Sequence, residues 1–199
     1  MERKLYKLLW VICRPAFDLL YPRKVTGVEN VPTEGGFVLC INHCSALDPL
    51  FVASRLSINQ RMMFLGKKEL HDNRILRPFL KWLGLIPVDR GHADLNAVRT
   101  CMQVLKEGAG LMIFPQGTRS RDNTPTPMLP GASMIALRGG VPVIPAYIDG
   151  PYRLFHRVDV RFGAPLDFSD LGRRCDQTTL ENATARIERA VWALKDVQA

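Results

Sequence analysis

The chain has 199 residues, 47% of them hydrophobic, which suffices for one packed core and excludes a disordered chain. Its formal charge of +8 calls for an anionic partner: nucleic acid, a membrane surface or a phosphorylated substrate. The five cysteines, Cys13, Cys40, Cys44, Cys101 and Cys175, are odd in number and form no C-x-x-C pair, so neither a disulfide framework nor a zinc knuckle is expected and a reducing cytoplasm suits the chain.

In chain order, the first element is amphipathic. Leu5, Leu8, Leu9, Ile12, Ala16, Leu19 and Leu20 recur near the helical period, which predicts an N-terminal helix. Pro15 is expected to kink or divide it. The stretch is broken by Lys7, Arg14, Pro15 and Asp18, so it falls short of the ~20 apolar residues of a membrane span. It also lacks a small-residue cleavage site and does not read as a signal peptide. Two readings stand: a helix packed on the core, or an interfacial helix lying on anionic lipid with Trp10, Phe17 and its basic residues. Segment 1–24 is therefore set apart as a candidate membrane anchor preceding a domain at 25–199.

Strand-like runs then alternate with helical ones. Strands are expected at 36–41, 61–66, 85–88, 110–115, 141–148 and 157–163, and helices at 49–57, 74–83, 93–107, 130–138 and 178–196. This alternation predicts a single-domain α/β sandwich with a largely parallel or mixed sheet flanked by helices. The proline-rich stretch 120–131 reads as a loop.

The chemistry concentrates just after the first long strand, in "NHCSALDPL" (42–50). Asp48-Pro49 reads as a helix start, with Asp at the cap and Pro at the first helical position. That cap explains Asp48 without any chemistry. The tight strand-to-helix connection also lets Asp48 meet His43, holding Nδ1–H and leaving Nε2 free as a base. By themselves these two residues leave both readings open. Cys44 carries no mark of a lowered-pKa thiol. Other chemistries find little support. G-x-S-x-G, G-x-x-x-x-G-K-[ST] and G-x-G-x-x-G are all absent, and His43, His71, His92 and His156 have no metal-ligand spacing. Nothing resembles a nucleic-acid motif.

Four blocks in order, Asn42-His43-x4-Asp48, "GLIPVDRG" at 84–91, "FPQGTRS" at 114–120 and "VPVIPAYI" at 141–148, resemble the glycerolipid acyltransferase family, which includes the bacterial 1-acylglycerol-3-phosphate acyltransferases. The likeness runs from about Val25 to Gly163. It implies that His43 is a general base on the acceptor hydroxyl and that Asp48 orients its ring. It implies substrate binding by Asn42, Lys67, Arg90, Gln116, Gly117, Thr118 and Arg119, the cations facing a phosphomonoester. Arg90 alternatively reads as a surface ion pair with Asp89. The third block departs from the family, which usually has Glu where Gln116 stands. Gln keeps the size and an acceptor oxygen but not the charge.

The resemblance thus implies an O-acyltransferase acting on a lysophospholipid, foremost 1-acylglycerol 3-phosphate to give phosphatidate. The acyl donor is acyl-CoA or acyl-acyl carrier protein, a substrate rather than a cofactor. No metal and no nucleic acid are expected. The expected place of action is the cytoplasmic face of the cell membrane, as a peripheral protein on an anionic surface. Acyltransfer onto another lipid acceptor, or a non-enzymatic basic membrane-binding module, are the alternatives.

Overall fold

The computed structural model describes residues 3–89, 94–120, 122–172 and 175–197. In chain order its main elements are α1 (Arg3–Leu20), β1 (Val25–Thr26), β2 (Phe37–Ile41), α2 (Asp48–Ala53), β3 (Met62–Lys67), α3 (Lys68–Asp72), α4 (Leu76–Leu83), β4 (Leu85–Val88), α5 (Leu95–Lys106), β5 (Gly110–Ile113), α6 (Gly131–Gly139), β6 (Val143–Ile148), β7 (Val160–Phe162) and α7 (Gln177–Ala193). Among the described residues the strands form one sheet in the order β1-β7-β6-β2-β5-β3-β4. Every adjacent pair is parallel except β6 and β7. The sheet is thus mixed and largely parallel, as the alternation of runs predicts.

Alternation along the central strands builds two cores. Val38 and Cys40 of β2 pack with Leu111 and Ile113 of β5 beneath α5, α6 and α7. Phe37, Leu39 and Ile41 face the other way, with Met112, Ile144 and Ala146, onto α1 and α2. A parallel sheet covered on both faces needs such continuous apolar strands, which is why β2 is buried at every position.

Parallel strands joined by crossovers bring their C-terminal ends to one edge. The ends of β2, β5, β3 and β4 therefore emerge side by side, and these ends carry the motif blocks. Asn42 helps hold this edge together. Its Nδ2 donates to the Ile148 carbonyl at 2.9 Å and its Oδ1 accepts from the Ile148 N–H at 2.7 Å. The side-chain amide thereby continues the β2–β6 ladder past the last strand residue.

Three local expectations change. Helix α1 runs unbroken through Pro15, so the proline does not divide it. The expected helix at 49–57 ends at Ala53, and the short β1 and α3 carry no pattern long enough to be read from sequence. The two readings of the N-terminal helix also split along its length. Phe17 and Tyr21, just past its end, are buried, with Phe17 set edge-on to Phe51 of α2 at 5.3 Å. Trp10 Nε1 donates to the Leu56 carbonyl at 3.2 Å, and Asp18 takes ion pairs from Arg55 and Arg23. Val11, Ile12 and Leu19 are exposed.

Phe17→Ala should therefore destabilise the fold by about 3 kcal/mol or more, as deletion of a buried aromatic does, read from urea denaturation. Removal of residues 1–21 should cost the fold itself and not membrane contact alone. A truncated protein of unchanged stability would contradict the packing described.

Candidate active site

Asp48 is the first residue of α2, with Leu47 in the cap position and Pro49 following. Among the described residues its carboxylate bonds only to positions 43–45 and not to its own helix. It turns back over the preceding loop instead. Oδ2 accepts from His43 Nδ1 at 2.7 Å, from the Cys44 N–H at 2.8 Å and from the Ser45 N–H at 2.9 Å. Oδ1 receives the Cys44 thiol at 3.4 Å. Helix capping, sufficient on sequence grounds, is thus not what this side chain does. Its exposure is 0%, and a buried carboxylate needs this many donors.

A carboxylate only accepts, so Nδ1 of His43 carries the hydrogen and Nε2 is the free ring nitrogen. The His43 side chain is 15% exposed, enough for one ring edge to meet a substrate. Its ring stacks on Phe114 at 4.0 Å. The backbone is clamped on both sides by the segment after β5: its N–H donates to Gln116 Oε1 at 2.7 Å, and its carbonyl accepts from the Ser120 N–H at 2.8 Å. Ring plane, tautomer and backbone are all held.

Gln116 is buried, with both ends of its amide used inside the protein. Its Oε1 accepts from His43, and its Nε2 donates to Thr126 Oγ1 at 2.7 Å. The acceptor oxygen that Gln shares with Glu is therefore spent on the His43 backbone. Gly117 has φ of +71°, where a side chain would be strained, and a Cβ there would come within 2.9 Å of Leu129. Thr118 and Arg119 beyond it are exposed, as is Lys67 at the end of β3. All three lie at the strand edge that carries His43. Arg90 falls outside the described residues. Asp89, offered as its ion-pair partner, pairs with Lys68 at 3.7 Å.

Asn42 is 1% exposed. Besides Ile148 its amide meets Asn123 Oδ1 at 3.1 Å, and Asn123 donates on to the Gly150 carbonyl at 3.0 Å. The structure thus gives Asn42 an internal role, not an open face. Asn123, Phe114 and Tyr152 belong to the site's surroundings and were missed on sequence. Phe114 stood inside the third sequence block without a role of its own, and Asn123 had a local signal: Asn in a turn-rich loop tolerates positive φ, here 54°. Gly150 allows close approach, since a Cβ there would come within 2.5 Å of the Cys44 Sγ.

A small apolar cavity of about 30 Å³ lies among α1, α2, β3 and α4. Trp10 and Cys13 of α1, Pro49 and Leu50 of α2, Phe64 of β3 and Leu83 of α4 help to line it.

Burial, and then the charge of Asp48, push the Cys44 thiol far above its ordinary range. A thiol that keeps its proton is a poor nucleophile. In the folded protein Cys44 should resist iodoacetamide at neutral pH and become labelled on unfolding, as read by peptide mass spectrometry. Rapid native labelling would contradict this.

Comparison with known proteins agrees with the geometry. The chain is 30% identical over 178 residues to the 1-acyl-sn-glycerol-3-phosphate acyltransferase of Bacillus subtilis (strain 168), covering 87% of this chain and 88% of that protein. It is 30% identical to the enzyme of the same name from Streptococcus pneumoniae, covering 80% of this chain and 61% of that one. Its fold matches the crystal structure of the 1-acyl-sn-glycerophosphate (LPA) acyltransferase, PlsC, from Thermotoga maritima. There the TM-score is 0.76 at 25% identity, over 99% of this chain and 83% of the other. The acyltransferase family model matches residues 22–149, a span that contains both the His43–Asp48 pair and the segment that clamps it, and the chain belongs to that family.

Proposed function

We propose that the chain transfers a fatty acyl group from an acyl thioester, of CoA or acyl carrier protein, to the free hydroxyl of 1-acylglycerol 3-phosphate, giving phosphatidate. The observation that carries this reading is the 2.7 Å contact between His43 Nδ1 and a fully buried Asp48 carboxylate. The similar proteins named above support the choice of acceptor.

The steps follow from that pair. Nε2 of His43 takes the proton of the acceptor hydroxyl as its oxygen attacks the thioester carbonyl. Asp48 balances the imidazolium so formed. The tetrahedral oxyanion collapses, the C–S bond breaks, and the departing sulfur takes the proton back from His43. Protons and electrons balance without a metal, a redox group or an acyl-enzyme. Cys44, whose thiol keeps its proton, stays outside the chemistry.

Binding is apportioned by charge and polarity. Lys67 and Arg119, exposed on the same strand edge, suit the phosphomonoester, and Arg90 joins them by family resemblance. Gly117 and Thr118 shape the turn that presents Arg119. Asn42 and Gln116 act by holding His43 and its strand in place.

The acceptor resides in a bilayer, so the protein must reach it there. Among the described residues no helix is long and apolar enough to cross a membrane. Contact from the surface is supported by exposed apolar side chains on α1, Val11, Ile12 and Leu19, and around α4, where Ile75 is 85% exposed beside Phe79. Arg74, Arg77 and Lys81 are exposed around the same helix, which suits anionic lipid. Helices α1 and α4 pack together, so these exposed side chains lie on adjoining elements. The cytoplasmic face is the side proposed.

His43→Ala should lower turnover roughly 10²–10⁴-fold while leaving the fold intact, assayed with lysophosphatidate and both donors and with products identified by mass spectrometry. In Asp48→Asn the amide oxygen can replace Oδ2 and hold the loop, but the imidazolium loses its counter-charge. Activity should fall toward that of His43→Ala. Near-normal turnover in either folded variant would sink the mechanism.

Reversing Arg74, Arg77 and Lys81 to Glu should weaken sedimentation with anionic vesicles, since each basic residue contributes about 1 kcal/mol there. Turnover of detergent-dispersed substrate should be unchanged. Equal sedimentation before and after the change would move the membrane contact elsewhere.

A further inference from the structure

Tyr152 lies outside the four sequence blocks, in the segment that follows β6. Its ring is wedged between two elements that meet at the site. It stands edge-on to Tyr21, just past α1, at 5.4 Å, and edge-on to Phe51 of α2 at 5.3 Å. The ring is therefore fixed by packing. Its hydroxyl is buried and has no hydrogen-bond partner of normal geometry among the described residues. A buried O–H that goes unused is uncommon.

The neighbours of this hydroxyl explain where it can act. Burial is the main cause that holds the proton on the phenol. The charge of Asp48 comes next, followed by Cys44 and by the acceptor oxygens of Asp48, while Arg55 pulls weakly the other way. The phenol is thus a neutral donor beside a buried anion. On Asp48, Oδ2 already holds three donors, whereas among the described residues Oδ1 has only the Cys44 thiol at 3.4 Å. A thiol is a weak donor, so Oδ1 has spare accepting capacity. The charged and titratable groups around the pair are His43, Cys44, Arg55 and Tyr152, with Asp149 acting on Cys44 from beyond.

We propose that Tyr152 is a positioning residue for the His43–Asp48 pair, donating its hydroxyl to the free side of the Asp48 carboxylate during the reaction. The bond fixes the carboxylate against rotation, so that Oδ2 stays on His43 Nδ1. It also draws off part of the negative charge, so that the imidazolium gives its proton back to the departing sulfur more readily. This inference rests on the reading of His43 as the base.

Tyr152→Phe keeps the ring between Tyr21 and Phe51 and removes only the donor. Turnover should fall about tenfold or more, the factor expected for a lost hydrogen bond to a charged group, with KM for both substrates unchanged. The acidic limb of the kcat/KM profile should move to higher pH, because a carboxylate stripped of one donor holds the imidazolium proton more tightly. A merely structural tyrosine would not move that limb. In a His43→Ala background the same change should have no further effect. If His43→Ala is itself active, the reading of His43 fails. If His43→Ala is inactive but Tyr152→Phe keeps wild-type turnover and an unmoved limb, this proposal alone is overturned. Should Tyr152→Phe fold poorly, Tyr152→3-fluorotyrosine makes the O–H a stronger donor and should move the limb to lower pH; an unmoved limb there overturns the proposal equally.

Discussion

The buried carboxylate of Asp48 is the constraint on which the rest of the site depends. A negative charge with no exposure to water must be met by donors, or it costs several kcal/mol. Here the donors come from the turn between β2 and α2: two backbone N–H groups, an imidazole and a thiol. Satisfying the carboxylate therefore shapes the loop. The loop in turn sets the imidazole in one tautomer with Nε2 outward. A structural need and a chemical one are met by the same bonds, which is why the loop between strand and helix is short.

That arrangement needs a rigid floor and rigid walls. The floor is the parallel centre of the sheet, buried on both faces. At its end Asn42 extends the β2–β6 ladder and, through Asn123, reaches the Gly150 turn. One wall is the segment after β5, where Phe114 stacks on the imidazole and Gln116 and Ser120 hold its backbone. Gln116 illustrates a general point about motif residues. Its carbonyl oxygen does structural work that Glu could also do, so the loss of charge leaves the geometry of His43 intact.

The other wall is aromatic. Phe17, Tyr21, Phe51 and Tyr152 meet edge to edge, joining the end of α1, the helix that begins at Asp48 and the segment after β6. Helix α1 thus has two kinds of side. One belongs to the core and carries Phe17 and the Asp18–Arg55 pair. The other leaves Val11, Ile12 and Leu19 exposed. Any force on the outer side acts on an element packed against α2 and hence close to Asp48.

Local pattern by itself determined a good deal. Short continuous apolar runs and turn residues mark the central strands, β2 to β6, within a few positions, because burial on both faces demands continuous apolar side chains. The amphipathic period marks α1, α5 and α7 for the same reason. His43-x4-Asp48 and the later blocks could be read as a candidate site because the chemistry needs those residue types near strand ends. What only the tertiary structure decided is which groups each side chain meets. Asp48 looked like a cap because capping is a local property, yet its carboxylate faces backward onto His43. Asn42 and Gln116 looked like ligands of a substrate, yet partners 106 and 73 residues away in sequence occupy them. Tyr152 carried no signal at all. Contacts across such separations form when the strand order brings distant loops to one edge, and no window of sequence short enough to show a period contains both partners.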